Sequence, residues 1–457
     1  MSILEDLKSS KNLIIGAGTT GKSLSRFLNS KNISYAIYDE KISSMDGIEV
    51  LSEIPKEVDI ALVSPGWRLD NPGIVEMQNR GVRLISEIDL AWLLKTEINP
   101  EQKWVAVTGT NGKTTTVQML ESILNISDLS AIACGNVGLP AIEAVSSSEN
   151  YQVLALKLSS FQIEWSKLPK FEASAILNIA EDHIDWHESF DQYANAKLKI
   201  LSQSKTAILN LNDPEIALRS TGIPGNKVFF GLDTPQAGEL GLVENVLVDR
   251  AFVSDPNQAE AFAELSDIIP AVPHNVSNAM AAAGLALALK IPHSKVAQGL
   301  KSFKLDHHRL ELIASSEGID WVDDSKATNP HAAKAALSSY LSVIWIAGGL
   351  AKGASMVDLI HKTSKRIKSA ILIGTDRELI AAELSKQAPH VEIFRVEKAG
   401  SSLEMMEEIV TLAKKLASKD DTVLLAPACA SMDQFKSYAE RGDLFAAAVK
   451  KLVENEK

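Results

Sequence analysis

The chain has 457 residues, 46% of them hydrophobic and 23% charged, which is the composition of an ordinary globular protein with two or three domains. Its 58 acidic and 46 basic residues give a net charge of −12, which argues against a surface whose main task is to bind nucleic acid or anionic lipid. The two cysteines, Cys134 and Cys429, lack metal-ligand spacing, so we expect a reducing compartment with neither a zinc site nor a disulfide framework.

The chain begins with MSILEDLKSSKN, which lacks the long apolar core of a signal peptide. The longest apolar stretch, Ala279 to Leu289, is too short to span a bilayer and is rich in alanine, so a buried helix is predicted there. These two features predict a cytoplasmic protein without membrane insertion.

The first segment contains NLIIGAGTTGKSLSRFL, a short apolar run that turns through Gly16, Gly18 and Gly21 into a helical pattern. Together with Asp39, about 21 residues after Gly18, this turn fits a dinucleotide fingerprint, but the glycines also fit a simple tight turn. In either case the helix start can hold a phosphate-bearing ligand. The runs SYAIYDE, VDIALVSPG and VRLIS follow, and their alternation with helical patterns predicts a parallel sheet.

The second segment follows a polar stretch, KTEINPEQK at 95–103, which reads as a linker with a domain boundary near residue 97. It opens with WVAVTGTNGKTTTVQML at 104–120, in which glycines, Lys113 and three threonines come directly after a buried strand. Backbone N–H groups and a lysine grip phosphate in a P-loop, while a hydroxyl reaches Mg²⁺. The usual spacing requires glycine at Val107, so this P-loop is a shortened variant that binds ATP or GTP.

Apolar runs continue through VLALKL, ASAILNI and TAILNLND to an alanine-rich helix that begins near Asn275. A junction at GLKSFKLDHHR leads into a third alternating segment with DWVDDS, SVIWIAGG, SAILIG, VEIFRV and TVLLAPA. The predicted fold class is α/β with three domains. These are a Rossmann-like domain at 1–97, a central P-loop ATPase-like domain with a parallel sheet at 98–301, and a Rossmann-like domain at 302–457.

The loop GTNGKTTT resembles that of the Mur ligase and folylpolyglutamate synthase superfamily, whose members use ATP to form amide bonds. Six further stretches, spread over almost the whole chain, resemble the Mur ligases that add D-glutamate. They are LSSFQIE (158–164), AEDHIDWH (180–187), YANAKLKI (193–200), HNVSNAMAAAG (274–284), DDSKATNP (323–330) and LLAPACASMDQFKSYAERGDLF (424–445). The last of these discriminates best, because ligases for other amino acids and the folate enzyme do not share it.

The resemblance implies an enzyme of peptidoglycan precursor synthesis that adds D-glutamate to UDP-N-acetylmuramoyl-L-alanine. ATP phosphorylates the terminal carboxylate, the amine attacks the acyl phosphate, and a tetrahedral intermediate collapses to amide and phosphate. Lysine and Mg²⁺ neutralise the triphosphate and the developing charge. The implied cofactors are ATP, Mg²⁺ and the CO₂ that converts Lys197 to a carbamate, and the expected state is a monomer.

The resemblance also assigns residues to each ligand. The implied catalytic residues are Lys113, His183, Lys197 and Asn136, and the implied metal ligands are Thr114, His183 and the Lys197 carbamate. The implied ATP site comprises Gly109, Thr110, Asn111, Gly112, Lys113, Thr114, Thr115, Asn275, His308, Arg309 and Asp324. The implied UDP-sugar site comprises Gly16, Gly18, Thr19, Thr20, Gly21, Asp39, Ser64, Pro65, Gly66, Asn136, Ser159 and Gln162. D-glutamate is expected at Lys326, Thr328, Lys352, Ser431 and Tyr438, where cations and hydroxyls suit a small dicarboxylate.

The sequence departs from the family directly before LSSFQ, where the family has a glutamate that ligates Mg²⁺ and this chain has Lys157. A protonated lysine offers no acceptor and cannot ligate a cation. Lys157 is compatible with an altered metal site, with weakened activity, or with a substitution introduced into this copy. Two alternative functions therefore stay open: another Mur-type or folylpolyglutamate-type ligase, and a weakened or non-catalytic nucleotide-binding form.

Overall fold

The computed structural model describes residues 2–255, 257–397 and 400–455, and these residues form mixed α/β layers around parallel sheets. The chain divides into two compact units. The first unit comprises the residues up to Ala271 together with Asn275–Phe303, and the second comprises Val272–His274 and the residues from Lys304 onwards. The α/β fold class predicted from the sequence is confirmed.

The first unit contains two large sheets. The smaller one is entirely parallel, and its strands in spatial order are Tyr35–Tyr38, Asn12–Ile15, Ile60–Val63 and Arg83–Ser86. The larger one has nine strands, in the order Glu260–Glu264, Val246–Asp249, Glu239–Val243, Asn226–Phe230, Ser204–Asn210, Phe171–Ile176, Lys103–Thr108, Val153–Lys157 and Ala131–Gly135. A short hairpin pairs Ser44–Met45 with Ile48–Glu49.

The second unit contains one six-stranded sheet. Its strands in spatial order are Glu311–Ser316, Ile319–Asp323, Thr422–Leu425, Val343–Gly348, Ile367–Ile373 and Glu392–Arg395. All of them pair in parallel except the first strand, which is antiparallel to its neighbour. The strand Val343–Gly348 is buried at every position, as expected where helices cover both faces of a parallel sheet.

Helices connect the strands in all three sheets. The α-helices are Ile3–Ser9, Thr19–Ser30, Pro72–Asn79, Glu87–Ile98, Lys113–Ile126, Ala141–Val145, Ser160–Trp165, Ile184–His187, Phe190–Leu198, Pro214–Ser220, Pro273–Ala288, His293–Ser302, Pro330–Ser338, Val357–Thr363, Arg377–Gln387, Ser402–Leu416 and Tyr438–Asn455. Short 3₁₀ helices cover Lys199–Gln203, Leu265–Asp267 and Ser364–Arg366. The buried alanine-rich helix predicted at Ala279 to Leu289 is confirmed within Pro273–Ala288.

Two local expectations differ from the structure. The stretch 95–103 is mostly not a linker, because the helix Glu87–Ile98 continues through its first four residues and a strand begins at Lys103. Tertiary burial of Lys95 at the helix end overrides the polar composition there. The central sheet is also not purely parallel, since the pairings of Val246–Asp249 with both of its neighbours are antiparallel. Among the residues described, no helix is both long and apolar enough to cross a membrane.

The helix Glu87–Ile98 meets the short helix Ala141–Val145 through a buried carboxyl group. Oε1 of Glu87 accepts a hydrogen bond from the backbone N of Ile142 at 2.7 Å, and Glu87 is only 4% exposed. Burial raises the pKa of Glu87 from 4.5 to about 7. The folded chain therefore holds a proton on Glu87 that the unfolded chain releases at lower pH.

We expect Glu87→Gln to stabilise the protein increasingly as the pH rises from about 4.5 to about 8. The stability linked to the raised pKa is fully present below the unfolded pKa and is lost as the pH rises through the folded one. The gap between 4.5 and about 7 corresponds to about 3 kcal/mol at most. Urea unfolding of the wild type, Glu87→Gln and the exposed control Glu149→Gln across this range measures the effect. A pH-independent difference between Glu87→Gln and the wild type contradicts it.

Candidate active site

The P-loop joins the buried strand Lys103–Thr108 to the helix Lys113–Ile126. Gly112 precedes this helix with a left-handed φ of +85°, and a Cβ on it would lie 2.3 Å from Oδ1 of Asn278, so only glycine fits. Gly112 has no side chain with which to cap this helix. A helix start of this kind is a common binding site for an anion such as phosphate.

Two lysine amines donate hydrogen bonds to the P-loop backbone. Nζ of Lys113 lies 2.6 Å from the carbonyl oxygen of Gly109, and Nζ of Lys197 lies 3.0 Å from the same oxygen. Lys197 is 1% exposed. Burial, and after it the charge of Lys113, lowers the pKa of Lys197 well below its usual value. Lys197 is therefore favoured as a neutral amine with a nucleophilic lone pair.

Three polar residues that the sequence did not single out shape this loop. Asn178 accepts from the backbone N of Asn111 at 2.8 Å and donates to its carbonyl at 3.2 Å. The hydroxyl of Tyr193 lies 2.9 Å from Oγ1 of Thr110. Asn278 contacts Gly112, as described above. Asn278 lies three residues after Asn275 on one helix, and this spacing is the sequence signal that could have identified it.

The residues predicted for the metal and the substrate carboxylate lie at the same edge of the nine-stranded sheet or in a loop beside it. Thr114 lies in the first turn of the P-loop helix, and Asn136 follows the strand Ala131–Gly135. Lys157 ends the strand that lies between Lys103–Thr108 and Ala131–Gly135. Its carbonyl oxygen accepts a hydrogen bond from the backbone N of Asn136 at 3.0 Å. His183 follows a loop, has a left-handed φ of +54°, and is 49% exposed at its side chain.

Asp182 brings a carboxylate to this region that the sequence analysis did not assign. Its Oδ2 atom lies 3.6 Å from Nε2 of His183. Its negative charge acts to raise the pKa of Lys197, although burial outweighs it there. Asp182 is thus a negative group close enough to influence the buried amine.

Ser159 and Gln162, which were predicted to contact the UDP-sugar, cap the helix Ser160–Trp165. Oγ of Ser159 accepts from the backbone N of Gln162 at 3.2 Å, and Oε1 of Gln162 accepts from the backbone N of Ser159 at 3.0 Å. This reciprocal arrangement is a capping box. The two side chains therefore have a structural role, and their contact with substrate stays a prediction.

A cleft of about 930 Å³ lies at the carboxyl end of the four-stranded parallel sheet. In such sheets ligands bind beyond the carboxyl ends of the strands, where the strand order reverses. The cleft is lined by most residues predicted for the UDP-sugar, namely Gly16, Gly18, Thr19, Thr20, Asp39, Ser64, Pro65 and Gly66. Trp67 and Arg68 also line it, and these two were not singled out from the sequence.

Asp39 organises the wall of this cleft. Its carboxylate accepts hydrogen bonds from the backbone N of Ala17 at 2.8 Å and of Lys41 at 2.9 Å. Gly21 lies behind the wall, where a Cβ would come within 1.9 Å of the carbonyl oxygen of Gly16. Gly21 thus allows the helix to approach the strand, which is one of the functions of glycine in this fingerprint.

In the second unit, the predicted nucleotide residues lie beside two paired strands: His308 and Arg309 precede Glu311–Ser316, and Asp324 follows Ile319–Asp323. Nδ1 of His308 lies 2.7 Å from Oδ2 of the buried Asp323, and this hydrogen bond raises the pKa of His308. Burial raises the pKa of Asp324 to about 7, while Arg309 acts in the opposite direction. Ligand atoms of His308, Glu311 and Asp323 lie within 4.8 Å of one another, but hydrogen bonds within the group already engage them.

The residues predicted for D-glutamate lie at the carboxyl edge of the six-stranded sheet. Lys326 and Thr328 follow Ile319–Asp323, Lys352 follows Val343–Gly348, and Ser431 and Tyr438 follow Thr422–Leu425. Nζ of Lys326 lies 3.5 Å from the ring centroid of Tyr438, and burial lowers the pKa of Lys326 to about 8. The backbone of Leu350 pairs with that of Ala430, which brings the loops of Lys352 and Ser431 side by side.

Arg441 supports this loop cluster and was also not assigned from the sequence. It is fully buried, and its guanidinium donates to Oγ and the carbonyl oxygen of Ser325, each at 2.9 Å. A buried arginine held by a neighbouring loop fixes that loop in place, because leaving its charge without partners is costly. The sequence signal available was its position within the run SYAERGDLF.

The P-loop, the buried lysine beside it and the three mainly parallel sheets define the class as nucleotide-using α/β enzymes. Residues 107–286 match the Mur ligase middle domain, and residues 308–429 match the Mur ligase, glutamate ligase domain. The chain therefore belongs to the Mur ligase family, in the branch of the UDP-N-acetylmuramoylalanine–D-glutamate ligases, because relatives of that name match most of its length.

Relatives resemble this chain in sequence and in fold. A UDP-N-acetylmuramoylalanine–D-glutamate ligase of Thermobifida fusca (strain YX) is 46% identical over 405 residues, covering 87% of this chain and 86% of the relative. One of Nocardia farcinica (strain IFM 10152) is 38% identical over 474 residues and covers 98% of both chains. The fold also resembles a pseudomurein peptide ligase type C from Methanothermus fervidus, with a TM-score of 0.60 and 22% identity over 98% of this chain and 100% of that one.

Proposed function

We propose that this enzyme adds D-glutamate to UDP-N-acetylmuramoyl-L-alanine with hydrolysis of ATP to ADP and phosphate. The proposal rests on one observation in the P-loop. The carbonyl oxygen of Gly109 accepts hydrogen bonds from both Lys113 and the buried Lys197. The phosphate-binding loop and the unprotonated amine of Lys197 therefore lie next to each other. The name shared by the relatives supports D-glutamate as the amino acid.

The chemistry assigns tasks to the residues of the P-loop. The substrate carboxylate attacks the γ-phosphorus, ADP leaves, and the amine of D-glutamate then displaces phosphate from the acyl phosphate to form the amide. Lys113 now donates to backbone carbonyls and can exchange these for phosphate oxygens, as P-loop lysines do. Backbone N–H groups at the start of the helix Lys113–Ile126 are proposed to hold the same anion.

Mg²⁺, when bound, neutralises phosphate charge and polarises the oxygen of the transferred group. Mg²⁺ prefers oxygen ligands, and the set of Thr114, His183 and Lys197 provides a single oxygen as it stands. The fit therefore depends on an oxygen ligand at Lys197.

We propose that Lys197 carries a carbamate, which supplies that ligand. The neutral Nζ attacks the carbon of CO₂, so an N–C bond forms as one C=O π bond opens to an oxygen anion. The nitrogen then releases a proton to water, and the product is an N-carboxylate. The burial and lowered pKa of Lys197 support this step because the amine must be unprotonated to react.

The substrates are assigned to separate parts of the chain. The cleft lined by Gly16, Asp39 and Ser64 is proposed to bind the UDP-sugar. The cluster of Lys326, Lys352 and Ser431 in the second unit is proposed to bind D-glutamate. The assignment of His308, Arg309, Asp324 and Asn275 to ATP stays a prediction, as do the domain boundaries, the cytoplasmic location and the monomeric state.

Phosphate release with ATP, Mg²⁺ and UDP-N-acetylmuramoyl-L-alanine tests the proposal when amino acids are supplied one at a time. Release that depends on D-glutamate supports it. Release with a different amino acid identifies another Mur-type or folylpolyglutamate-type ligase. Binding of ATP and UDP-sugar without any phosphate release identifies a non-catalytic nucleotide-binding form, which is the alternative suggested by Lys157.

Lys352→Ala tests the D-glutamate site. Loss of a charge-assisted hydrogen bond to a carboxylate is expected to raise the KM for D-glutamate by about tenfold or more, with the KM for ATP within about twofold. Lys365→Ala, an exposed lysine of the same unit, is the control and should change neither KM. A change in the KM for ATP alone shows that the assignment of Lys352 is wrong.

A further inference from the structure

The short helix Ile184–His187 is bounded by two residues in strained conformations. His183 has a φ of +54° and Glu188 a φ of +66°. A left-handed conformation in a residue other than glycine costs on the order of 1–3 kcal/mol and persists only where surrounding contacts hold it. We name residues 183–188 the His183 segment. Because its two ends are strained, its conformation depends on the residues that contact it.

On one side, the His183 segment is tied to the loop that lines the proposed UDP-sugar cleft. The indole Nε1 of Trp186 donates to the carbonyl oxygen of Gly66 at 2.9 Å. Nη1 of Arg68 donates to the carbonyl oxygen of Trp186 at 2.8 Å, and Arg68 also forms an ion pair with Glu188. Gly66 and Arg68 both line the cleft. A ligand that fixes this loop therefore fixes the segment as well.

On the other side, the segment packs into aromatic rings that lead to the P-loop. The ring of Phe161 lies 4.8 Å from those of both His183 and Trp186. The ring of His187 lies 5.4 Å from that of Tyr193. Tyr193 in turn contacts Thr110 of the P-loop through its hydroxyl, and its ring lies 4.4 Å from Nζ of Lys197.

We infer that Trp186 is a positioning residue that couples the UDP-sugar cleft to the nucleotide site by holding His183 in its strained conformation. The inference rests on the proposed function for the identity of the two ligands. Each ligand stabilises the same arrangement of the His183 segment, so each is bound more tightly when the other is present. Such coupling is reciprocal, and the same factor applies to both ligands.

Trp186→Phe and Trp165→Phe form a matched pair. Trp165 donates its indole N–H to the carbonyl oxygen of Trp67 at 2.8 Å, which is the same kind of bond to the same loop. Trp165, however, lies outside the ring contacts to His183. Phenylalanine keeps a ring at each position and removes only the indole N–H and part of the ring area.

The measurement is the Kd of UDP-N-acetylmuramoyl-L-alanine by calorimetry, with and without a non-hydrolysable ATP analogue and Mg²⁺. In the wild type, the analogue is expected to lower this Kd by about fivefold or more. In Trp186→Phe the factor should fall below about twofold, while the Kd without the analogue stays within about threefold. Trp165→Phe should keep the wild-type factor, and Tm values check that both variants are folded.

Three results overturn the inference: a wild type in which the analogue does not change the Kd, a Trp186→Phe variant that keeps the wild-type factor, and an equal loss of coupling in both variants. An equal loss means that general anchoring of the loop matters, rather than Trp186. Failure of the proposed function is a separate result, because binding is measured without ligation. A wild type that shows the coupling but releases no phosphate disproves the ligase activity and leaves the role of Trp186 supported.

Discussion

Lys197→Ala is expected to reduce ligation by about a hundredfold to a thousandfold, which is the scale on which removal of a group that stabilises transition-state charge acts. The substitution removes the amine that holds the Gly109 carbonyl and, by our proposal, the carbamate that ligates Mg²⁺. The fold should persist, because the lost group is a buried amine whose desolvation opposes its charged form. Initial rates and Tm values measure these two effects separately.

The controls for this variant separate the carbamate from other roles of Lys197. Lys199→Ala, two positions further on, removes an exposed lysine paired with Glu164 and should keep nearly full activity. Acetate should restore part of the activity of Lys197→Ala by occupying the vacated space, and should do nothing for the wild type. After addition of ¹³CO₂, a ¹³C NMR signal from a lysine carbamate should be present in the wild type and absent in Lys197→Ala. A fully active alanine variant removes the carbamate from the mechanism.

The pH dependence of the wild type follows from the same group. Because the pKa of Lys197 lies well below its usual value, the amine is unprotonated at a lower pH than in an ordinary lysine. Carbamate formation is lost when the pH falls through that lowered pKa, since the protonated amine does not react. Activity on the acid side should therefore recover in part when the CO₂ concentration is raised.

Lys157→Glu is expected to increase ligation and to lower the Mg²⁺ concentration needed for the half-maximal rate. Lys157 ends a strand in register with Val107, directly before the P-loop, and with Gly135, directly before Asn136. Exchanging an ammonium group for a carboxylate changes the local charge by two. At about 4 Å and an effective dielectric constant near 20, each charge–charge interaction is worth on the order of 4 kcal/mol. The affinity for the UDP-sugar should change little.

Lys103→Glu is the control for Lys157→Glu. It makes the same charge change on the adjacent strand but at the opposite edge of the sheet, where Lys103 is exposed and in register with Val153. Its Mg²⁺ dependence should match that of the wild type. If Lys157→Glu is no faster than the wild type and needs no less Mg²⁺, Lys157 contributes to catalysis as a lysine. The assignment of the metal ligands must then be redrawn.

Local patterns accounted for much of the fold. Apolar runs between glycine turns predicted the parallel strands, since strands covered on both faces require continuous apolar residues. The error at 95–103 had a physical cause, because Lys95 reads as a polar linker residue but is buried and donates to the carbonyl of Pro100. The antiparallel edge strands were missed because their pairing joins segments whose own sequences carry no clear alternation.

Part of the candidate site could be predicted from the sequence alone. Gly109, Gly112 and Lys113 predict a phosphate-binding turn, because a tight turn, a left-handed residue and a cation are needed within a few consecutive positions. The turn of Gly16 to Gly21 is predicted in the same way. In both cases the chemistry is local, so adjacent residues contain all of the information.

Only the tertiary structure decided the rest. Without the family resemblance, the local pattern around Lys197 indicates only a solvated charge on a helix, but packing of that helix against the P-loop buries the amine and favours its neutral form. Asn178, Tyr193 and Asn278 meet the P-loop from distant parts of the chain, and Trp186 meets Gly66 across 120 positions. Desolvation and hydrogen-bond geometry depend on neighbours brought together by folding, and for that reason no local pattern contains them.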